Sequence, residues 1–97
     1  MNSQGPTTLF RIFVEDTNEK ELLTDILDEF LGDSGYTAYF GLGHWKGQKK
    51  RSIIIEVYAP ESFRGTVDVL ATKLRVAFNQ KVVAVAEHND RVQFYYV

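Results

Sequence analysis

Apolar and polar residues alternate with a period of two over several short segments of the chain. The segment Thr8–Glu15 (TLFRIFVE) alternates in this way and is rich in aromatic and branched residues, which predicts a strand. Four further segments have the same character and are predicted as strands: 36–45, 52–59, 81–87 and 91–97. The second and third strands are joined by a short basic connection, 46–51, so we expect them to pair as an antiparallel hairpin.

A helical spacing replaces this alternation between the first two strands. The leucine, isoleucine and phenylalanine residues of segment 22–31 fall on one stripe of a helix, which predicts an amphipathic helix. Asn18 and Glu21 have the spacing of a capping box at its start, and Gly32 and Gly35 are predicted to supply its left-handed stop.

A second helical pattern follows Pro60, and its apolar residues keep a spacing of three and four from Phe63 to Phe78. The element order is then βαββαββ, which predicts an α+β fold: a ferredoxin-like two-layer sandwich, βαββαβ with an extra C-terminal strand. Two right-handed crossovers would place both helices on one side of a mixed sheet. Residues 8–97 are expected to form this single domain, and residues 1–7 a flexible leader.

One face of the predicted sheet is apolar although no helix is expected to cover it. Helices on one side of a sheet leave the other side to water, where polar residues are the norm. Soluble monomers seldom expose several hundred Å² of contiguous apolar surface, so we expect a second copy of the chain to cover this face in a dimer or trimer. The alternative is that the extra strand or the leader folds over it. The predicted interface residues are Leu9, Phe13, Tyr39, Ile54 and Tyr58.

Composition narrows the class of protein more than its activity. The chain has 97 residues, 44% of them hydrophobic, and no cysteine, which fits one globular domain and excludes disulfides, thiolate metal sites and cysteine nucleophiles. A net charge of -2 gives no reason to expect binding to nucleic acid. No basic-then-apolar leader precedes Leu9, and no apolar run approaches the roughly 20 residues that span a bilayer. We therefore expect a cytoplasmic protein without a membrane segment.

The segment 41–47 (GLGHWKG) holds three of the seven glycines and most of the candidate chemistry. Glycine lets a backbone approach a ligand closely, while the side chains here offer a titratable donor, a flat aromatic surface and a phosphate-seeking cation. The alternative interpretation is structural, since strand glycines often mark a bulge and basic loops are usually solvated. The predicted ligand-binding residues are Gly41, Gly43, His44, Trp45, Lys46, Lys50 and Arg51.

Placed at the end of strand two of a βαββαβ chain, GLGHWKG resembles the G-x-G-x-x-K-G segment at the base of the T-loop in PII signal-transduction proteins. Members of that family are ferredoxin-like trimers that bind adenine nucleotides in the clefts between subunits. The resemblance implies that Gly41, Gly43 and Lys46 line a nucleotide-phosphate cleft, and that an adenine nucleotide is the ligand. It also implies that Lys81 stands where the family uses basic residues near its second loop. The long T-loop itself has no counterpart, since the connection between strands two and three is short.

The first predicted helix and its flanks are strongly acidic. Eight acidic residues and one basic residue, Lys20, lie between positions 15 and 33, opposite in charge to the basic connection 46–51. A charged helix face most often serves solubility. The alternative function is that of an inhibitor or interaction module that captures a basic protein partner, with Asp25, Asp28 and Glu29 as the docking residues.

The sequence offers little that suggests catalysis. Its two histidines, His44 and His88, have no metal-binding spacing, and His88 falls in a predicted His-Asn-Asp turn where we expect it to be solvated. No hydrolase, P-loop or dinucleotide motif occurs, so we predict a non-catalytic protein without a metal site. An RNA-binding function is the least favoured, because the third strand lacks the basic-Gly-aromatic pattern, although Phe13 and Tyr58 could stack bases.

Overall fold

The computed structural model describes residues 7–97, apart from the side chain of Trp45. The predicted flexible leader, residues 1–7, therefore lies outside the described residues except for Thr7. The elements in chain order are β1 (Thr8–Glu15), α1 (Lys20–Leu31), β2 (Thr37–Trp45), β3 (Gln48–Ala59), a short 3-10 turn (Glu61–Phe63), α2 (Arg64–Ala77), β4 (Ala84–His88) and β5 (Val92–Tyr96).

The five strands form one sheet in the order β2-β3-β1-β4-β5, and every neighbouring pair is antiparallel. The prediction of a mixed sheet is therefore wrong. Each helix returns the chain to a position two strands away, so strands that run in the same direction are separated by one that runs the opposite way. The ferredoxin-like α+β fold is confirmed, and β5 is the extra strand at one edge.

The core lies between the two helices and one face of the sheet. Alternate residues of β1 and β3 point into it, so Phe10, Ile12 and Ile55 are fully buried. Burying each such side chain contributes about 1.5–3 kcal/mol, which is what holds the helices to this face. The helices contribute the opposite half of the core, chiefly Leu23, Ile26, Leu27, Leu31, Val67, Leu70, Ala71 and Leu74.

The ends of α1 differ from the sequence-based prediction. The capping box of Asn18 and Glu21 does not form, because Asn18 has a left-handed backbone (φ 64) and its amide donates to Asp16 Oδ1 at 2.9 Å. At the other end Gly32 keeps helical angles (φ -54), and only Gly35 is left-handed (φ 76). Within the described part of the chain, neither helix is long and apolar enough to cross a membrane.

The hairpin of β2 and β3 is longer than the sequence pattern indicates. The third strand begins at Gln48 and not at position 52, so the prediction of a basic loop over 46–51 is wrong. Lys46 and Gly47 both have positive φ, 49° and 78°, as a two-residue type I′ turn requires. Residues 48–51 belong to the strand because the tight turn brings each of them opposite a residue of β2.

Candidate functional site

The predicted ligand-binding residues lie on the outer half of the β2–β3 hairpin. The pairing there is Gly41 with Ser52, Gly43 with Lys50, and His44 with Lys49. Since alternate residues of a strand point to opposite faces, Gly41, Gly43 and Lys50 belong to the face away from the helices, and His44 to the helix side. Within one chain these residues are therefore divided between the two faces of a thin hairpin.

The two strand glycines of this hairpin differ in what surrounds them. A Cβ added at Gly41 would come within 2.7 Å of Ile54 Cδ1, so Gly41 leaves room for a side chain of the neighbouring strand. A Cβ added at Gly43 would lie 3.4 Å from the Lys50 carbonyl oxygen and from Ser52 Oγ, which is close to ordinary contact. Packing thus explains Gly41, whereas Gly43 leaves open backbone that a ligand could approach.

The hairpin cations are held against acidic residues at the end of β1. Lys50 Nζ lies 3.5 Å from Glu15 Oε1, and Arg51 Nε lies 3.6 Å from Asp16 Oδ2. The Arg51 guanidinium also sits 4.6 Å from the centroid of the Phe40 ring, a cation–π contact. The sequence did not reveal these partners, because they are distant along the chain. An anionic ligand would have to compete with them for Lys50 and Arg51.

Lys81 lies at the same end of the sheet, on the other side of β1. Its neighbour Gln80 accepts a hydrogen bond from the Glu15 amide at 3.2 Å and donates to the Glu15 carbonyl oxygen at 2.8 Å. The strand β4 begins at Ala84 and not at Lys81 as predicted. The structure brings Lys81 to the hairpin end of the sheet without placing it in the hairpin.

The five predicted interface residues all occupy the sheet face away from the helices, which we call the open face. The register places Leu9 opposite Tyr58 and Phe13 opposite Ile54, and Tyr39 lies beside Ile54 in the same row. The extra strand does not fold over this face, since it extends the sheet at the β4 edge. It adds three further apolar residues to the open face that the sequence analysis missed: Val92, Phe94 and Tyr96.

A polar cluster lies in the middle of the open face. Arg11 Nε donates to Glu56 Oε2 at 2.7 Å, and the Tyr39 hydroxyl donates to the same oxygen at 2.8 Å. The hydrogen bond from Arg11 holds the pKa of Glu56 below its usual value, and Glu56 in turn raises the pKa of Tyr39. His88 Nε2 lies 3.4 Å from Arg11, so His88 ends a strand beside this cluster and is not the solvated turn residue predicted.

A further ion pair joins the start of α2 to the core face of the sheet. Arg64 at the start of α2 donates two hydrogen bonds to the fully buried Glu87, at 2.7 and 2.5 Å. These bonds lower the pKa of Glu87. Nearby, the Tyr95 hydroxyl donates to Asp68 at 2.7 Å, and its pKa is raised first by burial and then by this bond. The alternation along β4 places Glu87 on the core face, opposite Phe10. The sequence could therefore have shown that this acidic residue is buried.

The residues of the acidic alternative lie on the exposed face of α1. Asp25, Asp28 and Glu29 are all exposed, and Asp28 accepts a hydrogen bond from the Tyr36 hydroxyl at 3.0 Å. Burial and then this bond raise the pKa of Tyr36. Among the residues that the structure describes, no group of histidine and acidic side chains could hold a metal ion.

No protein-family model matches the chain, and no curated protein is significantly similar to it. Solved structures resemble it over nearly its whole length. A phage SAM lyase in complex with S-methyl-5′-thioadenosine is 23% identical with a TM-score of 0.68, over 100% of this chain and 93% of the lyase. CPII, a nitrogen regulatory PII-like protein from Thiomonas intermedia K12 bound to ADP, AMP and bicarbonate, is 26% identical with a TM-score of 0.57, over 96% of this chain and 93% of CPII. A DUF3240 family protein from Shewanella baltica OS155 is 15% identical with a TM-score of 0.62, over 87% and 89%.

These comparisons confirm the predicted resemblance to PII-like proteins. The lyase and the DUF3240 protein share the fold with this chain. CPII is a PII-like protein, and its sequence identity to this chain is higher than theirs. The lyase and CPII structures each contain an adenosine compound, S-methyl-5′-thioadenosine in one and ADP with AMP in the other.

Proposed function

We propose that the protein is a small oligomeric binding protein of regulatory type, which takes an adenine nucleotide in a cleft between copies near GLGHWKG. The observation that carries this proposal is the likeness to CPII over 96% of the chain, in a structure that contains ADP and AMP. The same segment that predicted the PII-like resemblance supplies one cation for a phosphate group, Lys46, and Lys50 and Arg51 follow it in the next strand.

The geometry of the hairpin supports a site completed by a second copy. Two shallow hollows of the described surface lie on the helix layer, and neither is lined by a residue of the hairpin. Ligand sites are concave and enclose most of their ligand. The hairpin face that carries Gly43 and Lys50 would provide one wall of such a site, and a neighbouring copy would provide the other.

The proposed roles follow from the local structure. Gly43 allows the backbone to approach the ligand, because no side chain of its own covers the backbone there. Lys46 at the turn and Lys50 opposite Gly43 would neutralise the phosphates, and the sequence offers Trp45 as the aromatic residue for the base. Lys81 approaches from the neighbouring part of the same sheet end. Lys50 and Arg51 both have a carboxylate partner that the phosphates would have to displace, and Arg51 contributes less because its guanidinium also contacts the Phe40 ring.

The test is calorimetry with ADP and AMP on the wild-type protein and on Lys46→Asn. Asparagine tolerates the left-handed backbone of position 46, so this variant removes the cation and keeps the type I′ turn. We expect it to bind the nucleotide at least about tenfold more weakly, the effect of losing one charge-assisted contact. Lys73→Asn on α2 makes the same change in net charge away from the hairpin and should bind as the wild type does. If neither nucleotide gives a heat signal with the wild type, the proposal is wrong.

We propose further that the protein does not catalyse a reaction on this ligand. Because the phage lyase structure contains S-methyl-5′-thioadenosine, that compound and S-adenosylmethionine belong in the same series of ligands. Purified protein should release S-methyl-5′-thioadenosine from S-adenosylmethionine no faster than buffer does. Release that follows the protein through gel filtration would show that it is an enzyme.

The second candidate is a docking function for α1. The observation in its favour is that the exposed side of this helix carries acidic side chains and that its last turn contains no basic residue. Clustered charge of one sign speeds association with a partner of the opposite sign. Replacing Asp25 and Glu29 by lysine should abolish binding of a basic protein partner if this surface is used. A partner that stays bound to the doubly reversed variant would rule the surface out.

A further inference from the structure

We propose that the outer surface of the helix layer is a docking surface for a basic amphipathic helix of a partner protein. The partner's apolar side chains would lie on α2 and its cations beside α1. The inference rests on the docking function proposed for α1, and it adds the apolar half of the surface and the form of the partner. This surface lies on the opposite side of the sheet from the open face and requires no nucleotide.

The first argument is that α2 exposes apolar side chains on its outer surface. Val69 and Val76 are about two helical turns apart, so they lie on the same face of the helix. They are 57% and 65% exposed, and they line a shallow hollow together with Phe30 of α1. The helix already buries another apolar stripe against the sheet, so these two valines are available to a second molecule. Exposed apolar patches with polar edges mark sites of protein contact.

The α1 helix continues this apolar surface and borders it with carboxylates. Leu22, Ile26 and Phe30 recur every four residues and therefore follow one row of the helix, which reaches the hollow at Phe30. Asp25 and Glu29 form the adjacent row and are exposed. A groove with an apolar floor and an acidic border is suited to the apolar face of a basic amphipathic helix.

The second argument is that the carboxylates of this border are not neutralised within the chain. Among the described residues, the side chains of Asp25 and Glu29 have neither an ion pair nor a hydrogen bond. Lys20 is the only basic residue between positions 19 and 33, and its ammonium lies 5.5 Å from the centroid of the Phe40 ring. Cations of a partner would therefore meet these carboxylates without displacing another group.

Charge also argues against a second copy of the chain as the occupant. Two copies that met through the helix layer would bring their acidic α1 helices together, and like charges repel. A partner with the opposite charge avoids this repulsion, and its association would be accelerated by the same acidic side chains.

Lys73 sharpens the form of the partner. It lies between Val69 and Val76 along α2 and lines the same hollow, so it would repel a partner cation placed there. We therefore expect one acidic residue in the part of the partner helix that faces α2. A probe that carries only cations should accordingly bind Lys73→Met more tightly than it binds the wild type. Methionine removes the charge and keeps the helix propensity of lysine.

The experiment is a titration of the full chain into a labelled peptide of about 18 residues, or about five helical turns, followed by fluorescence anisotropy. The peptide has leucine at helical spacings of three and four and lysine at all other positions. A scrambled peptide of the same composition has the same charge but no apolar helix face. We expect the wild type to bind the amphipathic peptide at least about tenfold more tightly than the scrambled one, because only the former can bury its leucines together.

Variants of α2 assign the apolar contact to this surface. Val69→Gln with Val76→Gln replaces two exposed side chains by a good helix former, so the fold should be kept while peptide binding weakens at least about tenfold. The matched control is Val82→Gln with Val92→Gln, since these valines are 54% and 63% exposed but lie outside the helices. The control should bind the peptide as the wild type does.

A second pair of variants tests the charge. Glu29→Gln should weaken peptide binding, because it removes one carboxylate from the border of the groove. Asp90→Asn makes the same change in net charge between β4 and β5, and it should leave peptide binding unchanged. Equal effects of these two variants would show that the peptide responds only to net charge, and the inference would be wrong.

The remaining outcomes separate this inference from the other proposals. Equal binding of the amphipathic and scrambled peptides would overturn it. Binding that depends on Asp25 and Glu29 but not on the two valines of α2 would overturn it too, while leaving the charge-based docking function of α1 in place. If the valine variant dissociates an assembly that the wild type forms in sedimentation, a copy of the chain occupies the surface and the inference is wrong. Nucleotide calorimetry on the valine variant should match the wild type, so failure of peptide docking and failure of nucleotide binding are distinguishable.

Discussion

The two faces of the sheet carry the same chemistry in different surroundings. Each has an arginine–glutamate ion pair with a tyrosine hydroxyl close by. On the helix side Glu87 is fully buried although Arg64 is 42% exposed, while on the open face the side chains of Arg11 and Glu56 are 33% and 17% exposed. The difference comes from where the arginine originates. Arg64 belongs to α2 and reaches the sheet from the layer above it, whereas Arg11 and Glu56 are directly opposed on neighbouring strands.

This difference in origin separates two roles for an ion pair. A pair between layers fixes a helix to the sheet, so it contributes to the stability of the fold. An ion pair between neighbouring strands of the sheet does not attach a helix to it. Such a pair instead determines the charge of the sheet surface on which it lies. The predictions below test this separation, from the largest expected effect to the smallest.

Arg64→Met should cause the largest loss of stability. It leaves the Glu87 carboxylate buried without its cation, which costs about 3 kcal/mol. Urea denaturation followed by circular dichroism measures this loss. The matched change on the open face, Arg11→Met, should cost clearly less, because Glu56 can still reach water. Equal losses in the two variants would show that both pairs serve the fold alike.

Acidification should destabilise the protein, and Glu87 should account for much of the effect. Its pKa is lowered by the hydrogen bonds from Arg64, so its contribution is present above the ordinary carboxylate pKa of 4.5 and is lost as the pH falls through the lowered value. The free energy of unfolding should therefore decrease between about pH 6 and about pH 3. Glu87→Gln removes this titration and should flatten the profile. A profile as steep as that of the wild type would contradict the assignment.

Gly41→Ala and Gly43→Ala should differ in a smaller but informative way. The new methyl group at position 41 must displace the tip of Ile54 on the open face, so we expect a loss of roughly 1 kcal/mol. At position 43 the contacts are ordinary, and stability should change by less than about 0.5 kcal/mol. Under the proposed function Gly43→Ala should still weaken nucleotide binding in calorimetry. Unchanged binding would return both glycines to a structural role.

The strand periods predicted the fold well where the local pattern and the tertiary packing agree. The first strand was predicted with its observed limits, and the alternation along it assigned Phe10 and Phe13 to the correct faces. The prediction failed at the hairpin, where a polar run resembles a loop but pairs through Lys46 and Gly47. It also failed at Asn18, because a local hydrogen bond to Asp16 competes with the capping position.

The candidate site was predictable as a set of residues but not as an arrangement. The sequence identified the glycines and the lysine of GLGHWKG and the cations that follow it, since the residue types themselves show them. The acidic partners of Lys50 and Arg51 depend on the end of β1, which lies far away along the chain. The division of the site between two faces depends on register, and a shift of one residue would reverse it.

The sequence alone determined the strands, the helices, their order and the presence of an apolar sheet face without a helix to cover it, because each of these follows from local periodicity. The tertiary structure decided the antiparallel pairing outside the β2–β3 hairpin and the two arginine–glutamate ion pairs, since these depend on how the elements pack together. It also decided that the extra strand widens the open face and does not cover it, because hydrogen bonding to β4 holds β5 in the plane of the sheet.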